Sequence, residues 1–243
     1  MAEQPEITAV LGGDRFARSD VIEREIGRAR QVLSKLHAPS VNGGVEPLRE
    51  AVTRRKAELG RDGIERLLDR EVRWSTRVAR VTAVASRGRR AMSGIELVVS
   101  RGSAASFVEW FNKRTETNDE PAMLAAHPEH YIISTRADDR QEVWETNGGS
   151  PLAARFFIDY KDTSSLRTAP SPEYPVQVAG VARLDDGLAI GGVRHQFRDE
   201  DEGFRALLTV EFPALTLPAI ISGHRWHLAI EFSNWIEAAM RSV

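Results

Sequence analysis

The residues with the clearest capacity for chemistry lie near the C-terminus, where His224, His227 and Glu231 follow one another at spacings of three and four. In a helix those spacings bring all three onto one face. A His227-x-x-x-Glu231 pair can converge on one cation about 2 Å from each donor atom. In isolation the same pair would be an ordinary solvated ion pair. Its neighbours point elsewhere: Leu228, Ala229, Ile230 and Phe232 surround Glu231, with Trp226 and Trp235 close by. A helix that is apolar most of the way round turns its polar face into the protein. A carboxylate there needs a partner.

An upstream hairpin supplies partners. Residues 131–135 and 141–145 alternate as strands around Ala137-Asp-Asp-Arg140, which is a hairpin signature. A loop symmetric about Asp138 and Asp139 sets Arg136 opposite Gln141, Ile132 opposite Glu145 and His130 opposite Asn147. His130 and Glu145 then lie diagonally on one sheet face. His127 precedes Pro128 and is less constrained, so His127 and His130 are both candidate ligands. His130, Glu145, His227 and Glu231 together supply two imidazoles and two carboxylates, a set suited to Zn²⁺ or a similar divalent cation. Two carboxylates neutralise such an ion and ease its burial. The chain has no cysteine, so a metal here has only nitrogen and oxygen ligands. Of six histidines, His37 stands alone, and the other five follow residue 126.

The elements that must position these residues differ along the chain. Residues 14–75 read as helical. Val21, Ile22, Ile26, Ala29, Val32, Leu33 and Leu36 recur at helical spacing, a loop follows at residues 38–44, and Pro47 opens a second helix. Gly60 and Gly63 interrupt it before a third amphipathic stretch through Ile64, Leu68 and Val72. Residues 76–92 are ambiguous, because Val78, Val81 and Val84 have helical spacing but β-branched side chains. From residue 93 strands dominate: 95–99, then helices capped by Ser103 and opened by Pro121, then strands at 154–160, 176–184, 189–198 and 204–212. Residues 222–240 form a strong terminal helix.

The chain has 243 residues and a mass of 27.0 kDa, with 42% hydrophobic and 28% charged residues. A packed core is expected and wholesale disorder is excluded. A net charge of −2 gives no basic field for nucleic acid. Arg87, Arg89 and Arg90 lack interleaved aromatics and read as a solvated hinge. No run approaches the roughly 18 apolar residues of a membrane helix, and the first residues show no basic, apolar leader. The expectation is a cytoplasmic protein without a membrane partner.

One strand, two short helices, a run of strands and a long last helix suggest an α+β fold with a curved antiparallel sheet around that helix. This order looks like the Bet v 1-like (START-like) helix-grip fold, with a helical N-terminal region at 1–92 and a metal-binding catalytic domain at 93–243. Its amphipathic N-terminal helices would pack on that domain or form a homodimer contact. Trp110-Phe111, Ala126-His-Pro-Glu-His130, Glu145-Thr, His195 and His227-Leu-Ala-Ile-Glu231-Phe resemble, in that order, the diacetylphloroglucinol hydrolase/phloretin hydrolase family. The resemblance covers about residues 93–240 and implies a zinc-dependent hydrolase of a C–C bond next to a ketone. Its substrate would be a small aromatic or polyketide-like ketone. It also implies a metal held by His130 (or His127), Glu145, His227 and Glu231, with His195 near the substrate. The family's tyrosines for phenolic hydroxyls have no counterpart before His127, where Asp119 stands instead.

His195 is the candidate acid or base, since an unperturbed imidazole titrates near pH ~6.5, and Asp199 or Glu200 could pair with it instead. His224 is a candidate to orient Glu231 or His227. Two other readings fit the same container: a non-catalytic module binding a hydrophobic or polyketide ligand, and a metal-free cyclase or dehydratase using His195 and Glu145.

Overall fold

The computed structural model describes residues 4–242. Its strands are β1 (Ile7–Leu11), β2 (Asp14–Ala17), β3 (Arg90–Val99), β4 (His130–Thr135), β5 (Gln141–Thr146), β6 (Ala153–Asp159), β7 (Val176–Arg183), β8 (Ala189–Glu200) and β9 (Gly203–Pro213). Its helices are α1 (Arg18–Lys35), α2 (Val45–Ser86), α3 (Ala104–Glu116), α4 (Glu120–Ala125) and α5 (Pro218–Arg241), with a 3₁₀ turn at Asn147–Gly149. The strands form one antiparallel sheet in the order β2-β1-β3-β9-β8-β7-β6-β5-β4, open at both ends. The α+β architecture with a C-terminal helix is as expected. No helix among the described residues is long and apolar enough to cross a membrane.

Two apolar layers hold the sheet. On its inner face α5 buries Leu228, Phe232 and Ile236 against Leu97, Phe197 and Leu208, with Phe107 and Phe111 of α3 closing one side. On the outer face of β4–β6, α1 and α2 bury Leu33, Leu36, Leu48 and Leu68 against Tyr131, Ile132 and Trp144. Strands covered on both faces need apolar residues at successive positions, and β4 and β5 are buried along nearly their whole length.

The N-terminal region departs from the helical expectation at residues 14–17. Residues 7–17 form a hairpin turned by Gly12 and Gly13, both at positive φ, and β1 pairs with β3 in the same sheet. The helix beyond Pro47 runs to Ser86. Gly60 alone leaves helical geometry, at φ 59 and ψ 177, while Gly63 lies within the helix. Residues 76–86 are therefore helical despite their valines. Ser75 anchors this stretch by donating to the Ala153 carbonyl at 2.7 Å, and Ala83 and Ser86 are buried.

The β4–β5 register also needs correcting. Thr135 pairs with Gln141 and Ile132 with Trp144, one residue from the symmetric arrangement. A bulge then sets His130 directly opposite Glu145. Regular alternation from Ile133, which faces the inner core, would send His130 to the outer face. The extra residue at Tyr131 reverses that, because a one-residue slip exchanges sheet faces.

Candidate metal centre

The inner ends of β4, β5 and α5 meet at a buried group of imidazoles and carboxylates. His127, His130 and His227 each place a ring nitrogen within 4.8 Å of the other two, and this triad could hold a metal ion. His130 Nε2 lies 3.1 Å from His227 Nε2, 3.6 Å from Glu145 Oε2 and 3.4 Å from Glu231 Oε1. His227 Nε2 lies 3.7 Å from the same Glu145 oxygen. The four candidate ligands named from the sequence thus converge, with His127 behind them.

Hydrogen bonds fix the ring orientations. His130 Nδ1 faces the Met123 carbonyl at 3.3 Å. A carbonyl only accepts, so the proton sits on Nδ1 and the Nε2 lone pair points inward. His227 Nδ1 donates to Glu129 Oε2 at 3.4 Å, which turns its Nε2 the same way. His127 is held oppositely: its Nδ1 accepts the Glu129 backbone N–H at 3.0 Å, so its proton is on Nε2. That atom has no hydrogen-bond partner among the described residues. The His127 ring lies flat against His227, with centroids 3.8 Å apart and an 18° interplanar angle.

Electrostatics match a site built for positive charge. Burial opposes an imidazolium at His227, yet Glu145, Glu129 and Glu231 outweigh it and push its pKa up to about 9. Burial raises Glu231 to about 8, with His227 opposing, and raises Glu145. His127, His130 and His224 are held well below the ordinary imidazole value, first by burial and then by neighbouring cationic groups. The carboxylates therefore compete for protons here, and a divalent cation would supply the charge that those protons otherwise bring.

Glu129 is the residue that sequence reasoning missed. It is 2% exposed, and besides His227 it approaches His127 Nδ1 and Arg28 Nη1, each at 3.9 Å. The signal was its place inside His127-Pro-Glu-His130, between two candidate ligands.

The centre opens onto a cavity of about 370 Å³ between α5 and the sheet. Phe111, Ile133, Phe156, Phe232 and Trp235 give it apolar walls, and Glu145, His227 and Glu231 reach its surface. His195 lines it too, 4.7 Å from the Phe232 ring centroid. Its expected ordinary pKa needs correcting: burial pulls it down to about 3, so the ring is neutral at physiological pH. Its Nδ1 has no partner among the described residues. Neither carboxylate proposed to pair with it does so: Asp199 accepts the Ala104 N–H and Glu200 binds Arg198 and Arg205. His224 makes no hydrogen bond to His227 or Glu231. Its Nδ1 meets Ser93 Oγ at 3.3 Å, and its ring stacks on His227 at 5.2 Å.

Tyr160 is a second site residue found only in the fold. It lines the cavity and donates to Gln141 Oε1 at 3.1 Å, whereas Tyr174 binds Glu96 and Tyr131 lies in the outer layer.

Close packing seats α5. A Cβ at Gly223 would overlap the Gly148 carbonyl oxygen, and Gly148 itself has φ 59. The first turns of α5 therefore rest on the 3₁₀ turn after β5, which ties the helix bearing His227 to the strand bearing Glu145. A search of protein-family models, curated proteins and solved structures returned no match to the chain.

Proposed function

We propose that this protein is a zinc-dependent hydrolase that cleaves a C–C bond next to a ketone in an acyl-phenol or polyketide-like substrate. The observation that carries the reading is the convergence of four donor atoms beside an apolar cavity. Zinc bonds of about 2.0–2.1 Å imply donor–donor separations of about 3.3 Å in a tetrahedron. Four of the six separations are close to that: His130 lies 3.1 Å from His227, 3.4 Å from Glu231 and 3.6 Å from Glu145, and His227 lies 3.7 Å from Glu145. His130 and His227 each give their second nitrogen to an acceptor, the arrangement typical of zinc-bound imidazoles. His127 does not, so His130 is assigned as the ligand and His127 as the ring that fixes the plane of His227.

A divalent cation held there would polarise a ketone oxygen and lower the pKa of a nearby water. The chain supplies the rest. Phe111, Phe156, Phe232 and Trp235 take the aromatic part of the substrate and exclude bulk water. Tyr160, held by Gln141, offers the phenol oxygen as a hydrogen-bonding point for a substrate hydroxyl. The reaction adds water across the bond: hydroxide goes to the acyl carbon, the bonding pair leaves with the ring carbon, and that carbon takes the remaining proton. His195 is neutral and a weak base, so it carries that proton only transiently between water and carbon. The resemblance noted in the sequence supports the substrate class, and the cavity's apolar lining supports it independently.

The test is turnover of an acylphloroglucinol by protein stripped with chelator and then reloaded. Activity lost on stripping and restored by Zn²⁺ is expected. Undiminished turnover of the same substrate after chelation contradicts the metal's role and favours the metal-free alternative.

A further inference from the structure

The cavity extends well past the buried imidazoles and carboxylates. Ile220, His224, His227, Glu231 and Trp235 of α5 all line it, at spacings of four, three, four and four. At 1.5 Å per residue the lined face of the helix is about 22 Å long, and about 10 Å of it separates His227 from Ile220. The two ends differ in chemistry. At the Trp235 end the walls are aromatic and closed to solvent. Phe111 and Phe232 each meet Trp235 edge-on with ring centroids 5.2 Å apart, Tyr160 meets Phe111 at 6.4 Å, and Trp235 is 4% exposed. At the Ile220 end the walls are mainly aliphatic, from Ala182, Leu184, Ile190 and Leu217. Leu217 is 65% exposed, so this end is the mouth. Ala182 pairs with Gly191 across β7 and β8, so two of the smallest residues leave the floor low there.

A small acyl-phenol does not fill this space. An apolar cavity of about 150 Å³ holds a benzene ring. The 370 Å³ here therefore leaves more than half its volume over, the share of about seven waters at roughly 30 Å³ each. Water against aliphatic walls finds few hydrogen-bond partners, so an apolar group of the ligand displaces it favourably. With C–C bonds of about 1.5 Å, a zigzag chain advances about 1.25 Å per carbon, so the span from His227 to Ile220 matches about eight carbons.

We propose that the outer half of the cavity takes a medium-length alkyl chain, the acyl group of the substrate, running from the ketone at the candidate metal centre past Ile220 to the mouth. The phenol ring then lies in the aromatic end. The inference rests on the C–C hydrolase reading for the bond that breaks, and on the cavity alone for the tail. Hydroxide from water joins the acyl carbon, the aryl–acyl bond breaks with its pair on the ring carbon, and that carbon takes the remaining proton. The products are a phenol and an alkanoic acid.

A series of acylphloroglucinols, from acetyl through hexanoyl and octanoyl to dodecanoyl, tests the proposal on the zinc-loaded full-length chain. Each added methylene should raise kcat/KM roughly two- to fourfold, chiefly through KM, up to about octanoyl, and the rise should then level off. Octylphloroglucinol has no ketone to cleave, and by calorimetry it should bind at least about tenfold more tightly than ethylphloroglucinol. Ile220→Trp fills the outer half and should move the optimum to shorter chains, whereas Ile220→Ala should weaken the preference for octanoyl. Zinc content and circular dichroism check that both variants fold. An acetyl optimum, or a 3-phenylpropanoyl homologue preferred over octanoyl, overturns the alkyl tail and leaves the hydrolase reading standing. Equal binding of octyl- and ethylphloroglucinol overturns it as well. Cleavage of no homologue, with octylphloroglucinol still bound the more tightly, strikes the reaction and supports the tail site.

Discussion

Replacing Glu129 separates a carboxylate that would orient a proposed ligand from the proposed ligands themselves. Its Oε2 accepts the His227 Nδ1 proton at 3.4 Å, near the long limit for such a bond. Loss of an outer partner of a metal-bound imidazole typically weakens metal affinity about 10–100-fold, or about 1.4–2.7 kcal/mol. The long contact places Glu129→Leu at the lower end, about tenfold weaker. Glu129→Gln keeps an acceptor but loses the charge. A charge-assisted hydrogen bond exceeds a neutral one by about 1 kcal/mol, so about a fivefold loss is expected. The assay is Zn²⁺ competition against a chromogenic chelator at fixed pH and ionic strength. Affinity is the readout because Glu129 also faces Arg28 and buried Lys56, and its removal changes the stability of the metal-free protein as well. Wild-type affinity in Glu129→Leu would refute the reasoning that His227 is a ligand oriented through Nδ1.

Three further outcomes are expected. Burial pushes Lys56 down to about 7 against the pull of Glu129. The unfolded chain holds that proton to about pH 10.4, so stability should rise with pH across that window. Lys56→Met should flatten the rise and add up to about 4 kcal/mol at pH 6, read from urea denaturation at several pH values. Gly223→Ala forces α5 away from Gly148 and should cost about 1–3 kcal/mol of stability, together with measurably weaker Zn²⁺ binding in the same chelator assay. Tyr160→Phe leaves the ligands intact and should keep full metal content. It should lower kcat/KM about fivefold on hydroxylated substrates, the equivalent of one neutral hydrogen bond, and have little effect on analogues lacking the hydroxyl.

Much of the architecture is legible in the sequence because its signals are strong and local. The apolar helix around Glu231, the Ser103 cap, Pro121 at the start of α4 and the alternating strands each carry their own periodicity. The β1–β2 hairpin was hidden because five alternating residues before a strongly periodic helix give little signal, and their pairing with β3 spans some ninety residues of chain. Valine propensity left residues 76–86 ambiguous, and burial of Ala83 and Ser86 decides for helix. The candidate set could be read from residue type, helical spacing and the hairpin, yet the face on which His130 lies could not. That depends on the bulge at Tyr131, which in turn follows from burying both Tyr131 and Ile132 under α1 and α2. Glu129 and Tyr160 gain their significance only from what the fold brings beside them.

Elemental analysis of the purified full-length protein tests the metal centre most directly. One zinc per chain is the expected result, with less than a tenth of that retained by folded His227→Ala or Glu231→Ala protein. A fully folded wild-type chain that carries no metal, and that neither binds added Zn²⁺ nor gains thermal stability from it, would contradict the assignment of His130, Glu145, His227 and Glu231 as a metal site.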